Sequence, residues 1–170
     1  MSIESTAHHE AGHAVAAHVL GIEFTEVTIR GNRRVAGQVE VRIPGWVKRT
    51  KVPSPRFRLW VDSYVMTHMA GLLAEREYTG RNNHRGAFDD YLGSCKLART
   101  VTYTDRERDC YLDWLYERAR ALARRRVFRN AVRSVAAVLM RRQTVSARHV
   151  AVLTNRAIRS CEKRARARRR

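Results

Sequence analysis

The sequence predicts one mainly helical domain with a small β-hairpin or sheet, an α+β fold, and three observations lead there. Apolar residues recur at helical spacing over most of the chain, and one short stretch alternates with period two around a turn. The length of 170 residues, with 44% hydrophobic and 8% aromatic content, suits one core and is short for two.

Taken in order, Ala7, Ala11, Ala14, Val15 and Val19 mark a first helix over about 5–20, with Gly21 as its stop. Phe24, Val27 and Ile29 alternate, Gly31 and Asn32 supply turn chemistry, and 35–43 alternates again, which predicts a hairpin. Residues 44–55 read as an exposed loop bordering a cleft. Ser54 and Pro55 then give a cap and a first helical position, opening a helix that runs to about residue 78 before Thr79 and Gly80. A polar loop over 81–86 leads to a helix over 87–100. From about 106 the pattern is helical throughout, with Val127, Ala131, Val135, Val138 and Leu139 opposite arginines. The domain is expected to span 1–163, with 164–170 a disordered basic tail.

The net charge is +18, and nearly all of it is C-terminal. Residues 118–170 hold 18 Lys and Arg against one acid, Glu162. Such a block attracts nucleic acid, an anionic surface or an acidic partner, or serves as a solvated face. No run reaches the ~18 apolar residues of a membrane span, and residues 1–9 lack a secretion signal. Cys95, Cys110 and Cys161 are odd in number and widely spaced, which suits free thiols in a reducing compartment. A cytoplasmic protein is the expectation.

His9 and His13 stand four apart on the first helix, so both imidazoles leave one face a turn apart and can grip one metal ion. In the H-E-x-x-H arrangement the intervening Glu10 is not a ligand but a general base that takes a proton from the attacking water. Zinc suits this chemistry because it lowers the pKa of a bound water to about 7 without redox activity. Gly12 is a costly residue inside a helix, and with Ala11 and Ala14 it points to the close approach of a neighbour. Spacing leaves the third ligand open among His68, His84, Glu75, Asp89 and Asp90. His8 and His18 fall elsewhere on the helix and read as non-ligands.

His9-Glu10-Ala11-Gly12-His13-Ala14 resembles the H-E-A-G-H-A signature of the FtsH-type zinc peptidase domain. Two later segments agree. Ala70-Gly71-Leu72-Leu73-Ala74-Glu75 is similar to that family's G-G-R-A-A-E stretch. Gly86-Ala87-Phe88-Asp89-Asp90, with Cys95-Lys96-Leu97-Ala98-Arg99 behind it, is similar to its T-G-A-x-x-D and A-T-x-x-A-R segments. The likeness covers about 5–158 and implies a helical bundle around a zinc site, with Asp90 as the third ligand and a homo-oligomer, a hexameric ring. Leu72 and Arg85 depart from the family pattern. Asp89 is the runner-up ligand, although its place in a helix's first turn suits the helix dipole. Glu75 is a candidate to orient a ligating histidine, with a salt bridge as the alternative, and His84 reads as a loop histidine.

The expected function is therefore zinc-dependent endopeptidase activity on unfolded or exposed polypeptide. The chain has no P-loop, so any unfolding would need a separate ATPase. The hairpin edge at Gly37, Gln38 and Val39 is the candidate that pairs with substrate backbone. The alternative is a basic nucleic-acid- or partner-binding protein retaining a structural zinc fold. Trp60 and Trp114, set within helices, read as core residues rather than a stacking platform.

Overall fold

The computed structural model describes residues 2–31, 37–81, 83 and 88–167. In chain order its elements are α1 (Ile3–Leu20), β1 (Phe24–Thr28), β2 (Gln38–Val41), α2 (Gly45–Arg49), α3 (Pro55–Thr79), α4 (Phe88–Ala98), α5 (Asp105–Ala123), α6 (Arg126–Arg142), β3 (Thr144–Ser146) and α7 (Ala147–Ala167). The expected mainly helical architecture with a small sheet is what forms.

Helix α1 runs through the centre. Ser2 caps it by accepting a bond from the Ser5 N–H at 3.1 Å, and Gly21 ends it in the left-handed conformation at φ 74°. Every residue from Ser5 to Ala17 is buried. A helix enclosed on all sides must be slim where its neighbours cross, and Ala7, Ala11, Ala14, Ala16 and Ala17 provide that. The tightest crossing is with α3. A Cβ on Gly12 would lie 2.6 Å from both the Ala70 carbonyl oxygen and the Ala74 Cβ, so no side chain fits there.

Helices α6 and α7 also pack on α1, while α4 and α5 pack on α3. Val61, Val65, Leu115, Val135, Leu139 and Val150 fill the space between them at 0% exposure. The sheet has three antiparallel strands in the order β2-β1-β3. Its central Val27 is fully buried and pairs with Val39 on one side and Val145 on the other.

The structure departs from the sequence reading in four places. The last third is not helical throughout, because Thr144–Ser146 pairs with Glu26–Thr28 as β3; Gln143, at φ 61°, ends α6 and turns the chain into that strand. The 44–55 segment contains α2, whose Trp46 packs on the core beneath the Arg56 guanidinium, 4.3 Å from the ring centroid. Trp60 packs at the edge of the core, but Trp114 lies on the outer side of α5 at 47% exposure, with Arg118 over its ring. The expected tail is helical through Ala167, since alternating Arg and Ala propagate a helix without packing; residues 168–170 lie outside the described part. The three cysteines are unpaired. Among the described residues no helix is long and apolar enough to cross a membrane.

Candidate metal centre

Helical spacing sets His9 and His13 one turn apart on α1, with ring centroids 4.7 Å apart and nearly perpendicular. Both rings are buried, and each is fixed through Nδ1. His9 Nδ1 lies 3.0 Å from the Glu75 Oε2 and His13 Nδ1 lies 2.8 Å from the Thr67 carbonyl oxygen. Both partners only accept, so Nδ1 is the protonated nitrogen in each ring. The two Nε2 atoms are thereby turned to one point, where Asp90 of α4 meets them: its Oδ2 is 3.1 Å from His9 Nε2 and 3.2 Å from His13 Nε2.

The ligand atoms of His9, His13 and Asp90 all lie within 4.8 Å of one another, and this buried group could hold a metal ion. Its chemistry fits one. Bonds of about 2.0 Å from a tetrahedral ion place neighbouring donors about 3.3 Å apart, close to the two nitrogen–oxygen separations seen here. Without a cation, the two Nε2 lone pairs would face a carboxylate, and protons must take its place. Burial alone would lower the His9 pKa, yet the bonds to Asp90 and Glu75 and the charge of Glu10 raise it to about 10. His13 is also raised against its burial, chiefly by the Asp90 charge. Asp90, despite burial, is held well below the usual carboxylate range by His13 and His9. The group is built for positive charge.

Glu75 is 2% exposed and fully engaged. It accepts from the Ser5 hydroxyl at 2.5 Å, from the Asn83 amide at 2.9 Å and from His9. Burial would raise its pKa, but these donors hold it below the ordinary value. It is thus the group that orients His9 rather than a partner of an arginine.

Glu10 is buried between the two histidines in sequence and is not among the converging ligand atoms. Burial raises its pKa, opposed by the charges of His13 and His9. Its carboxyl packs on the main chain of Gly37: a Cβ at Gly37 would lie 2.7 Å from Oε1. Gln38 and Val39 continue from there along β2, an outer strand of the sheet, with Gln38 exposed and Val39 half-buried.

Asp89 is exposed and apart from the group, so Asp90 rather than its neighbour joins the histidines. His68 is also not a ligand. Its Nδ1 lies 3.2 Å from the Asp90 carbonyl oxygen and 3.4 Å from the Ser94 hydroxyl, tying α3 to the first turn of α4. His84, Arg85, Gly86 and Ala87 lie outside the described residues. His8 stacks on Tyr78 with centroids 3.8 Å apart, and His18 lies near Asn155, so neither joins the site.

Sequence reading missed Thr67, Ser5, Asn83, Gly71 and Gly93. Thr67 acts through its carbonyl, which leaves no side-chain signal. Gly71 and Gly93 did leave one, as costly residues within helices. A Cβ on Gly71 would come within 2.5 Å of the His13 Cε1, and one on Gly93 within 2.7 Å of the His68 Cε1. Compared with known protein families and with curated proteins, the chain matches none.

Proposed function

We propose that the protein is a zinc-dependent endopeptidase acting on unfolded or exposed polypeptide. The observation that carries this reading is the convergence of two imidazole Nε2 atoms and one carboxylate oxygen, with a non-ligating buried glutamate on the same helix. Two imidazoles and one carboxylate suit zinc, and they also suit iron(II). Glu10 is what favours hydrolysis, because oxygen chemistry does not call for a base at that position.

When bound, zinc supplies a Lewis acid that polarises a peptide carbonyl and acidifies water. Glu10 accepts the proton of the attacking water as its oxygen bonds to the carbonyl carbon. The same carboxyl then delivers that proton to the amide nitrogen as the carbon–nitrogen bond breaks. Burial of Glu10, which raises its pKa, supports both roles. Glu75 and the Thr67 carbonyl keep the two Nε2 atoms aimed throughout.

Two features support a polypeptide substrate. β2 starts just after Gly37, which lies against Glu10, and its free edge is where an extended backbone can add as a further strand. Asp90 also borders a mostly apolar cavity of about 180 Å³ between α3, α4 and α5, where Met69, Leu72, Leu112 and Tyr116 meet the polar Ser94 and Asp113. An apolar side chain of the substrate fits it. Leu72, where the FtsH pattern has arginine, keeps this cavity apolar.

The reading is tested on an unstructured substrate such as casein. Cleavage that stops with a chelator and returns with zinc supports it, and stable zinc binding with no cleavage of unfolded protein rejects it.

A further inference from the structure

Outside the metal centre, the most unusual surface is the basic one. The 18 bases of 118–170 are almost unopposed in sequence. Among the described residues of that stretch, only Arg120 and Arg129 have a carboxylate within 4.0 Å, those of Glu117 and Glu77. The other described cations there have no carboxylate at that distance to neutralise them.

Their arrangement is ordered. Helix α7 is anchored by Val150, Thr154 and Ala157, and beyond that its residues stand in solvent, with Arg159, Ser160 and 162–167 exposed. Arg156, Arg159, Lys163 and Arg166 follow one another by three, four and three residues, which stacks them in one stripe about 15 Å long. The end of α7 lies beside the start of α6, where the Asn130 amide is 3.7 Å from the Cys161 sulfur. Arg126 and Arg164 therefore line one groove, of about 190 Å³, with Cys161 and Ala165. Arg124 and Arg125, both exposed, precede Arg126 on the α5–α6 connection. Arg126 and Arg164 thus edge the side of α7 that meets α6, while the stripe runs along its outer, solvent-facing side.

We propose that the outer stripe of α7 binds the phosphodiester backbone of duplex nucleic acid, independently of base sequence. Arginine forks match phosphate oxygens, and a row of like charges along a straight helix follows a charged strand. A lipid surface is disfavoured because 159–167 contains no apolar residue larger than Ala165, Ala167 and the half-buried Cys161 to insert. An acidic protein is disfavoured because the stripe lacks the aromatic or aliphatic anchors on which protein interfaces rest. The absence of aromatic residues there also removes any platform for unpaired bases.

The test is fluorescence anisotropy of the full chain with two labelled duplexes of unrelated sequence, titrated between roughly 50 and 200 mM salt. Both duplexes should bind alike, with affinity falling steeply as salt rises. The combined substitution Arg156→Gln, Arg159→Gln, Lys163→Gln and Arg166→Gln should flatten the log–log salt slope by about 3 to 4, at about 0.9 for each phosphate that is no longer neutralised. All four side chains are exposed, so circular dichroism and metal content should be unchanged. No duplex binding at the lowest salt overturns the proposal. So does an unchanged slope in the variant, or binding to phosphatidylserine vesicles or polyglutamate that excess duplex does not displace.

Discussion

Glu75 holds three donors from two parts of the chain, Ser5 and His9 of α1 and Asn83, in a place almost closed to water. Its charge fixes the His9 tautomer and would make that ring a better ligand for a bound metal ion. Glu75→Gln should weaken metal binding 10- to 100-fold in a chelator competition, with little loss of folded protein. The charges at the centre also set how the metal-free protein responds to pH. His9 in the folded chain titrates near 10, above the ordinary 6.5, so its contribution to stability is complete below about pH 6.5 and is lost as pH rises through 10. Asp90 is shifted down, so its contribution is present above about 3.8 and is lost on acidification below that. Metal-free protein should therefore have a higher urea midpoint near pH 6 than near pH 10.5. Equal midpoints would remove the ion pairing from the account.

At the scale of elements, the site depends on how closely α1 and α3 approach. Gly12 admits the backbone of α3, and Gly71 of α3 admits the ring of His13. Gly71→Ala should cost about 1–3 kcal/mol by overpacking, read from denaturant unfolding, and should lower metal affinity as well, because the displaced ring is a proposed ligand. A change in stability with metal affinity intact would show that His13 moves freely. The histidine pair was legible in the sequence because one helical turn fixes it locally, and Gly12 signalled the crossing. Asp90 was not fixed by spacing; only the likeness to a known motif singled it out, since nothing local says where α4 will dock. Strand β3 was hidden for another reason. Three residues are too few to display alternation, and Thr144, Val145 and Ser146 gain their strand character only by pairing with β1. Trp114 misled because a large aromatic on a helix usually faces inward, whereas here Arg118 covers it from the solvent side.

For the whole molecule, the architecture is a central small-residue helix packed against α3, α6 and α7, with the candidate metal centre at the junction of α1, α3 and α4. The sequence contains no P-loop G-x-x-x-x-G-K-S/T. Acting alone, the protein should cut a denatured test protein and leave the same protein intact when folded, as gel analysis of the two would display. Under the proposed function Glu10 is dispensable for binding metal and indispensable for cleavage, since its carboxyl is outside the candidate ligand group. The direct measurement compares the unmodified chain with Glu10→Gln for zinc content and casein cleavage in the same preparations. The account predicts equal zinc, about one ion per chain, with cleavage reduced by about 10²-fold or more; cleavage persisting in the variant at equal zinc would contradict it.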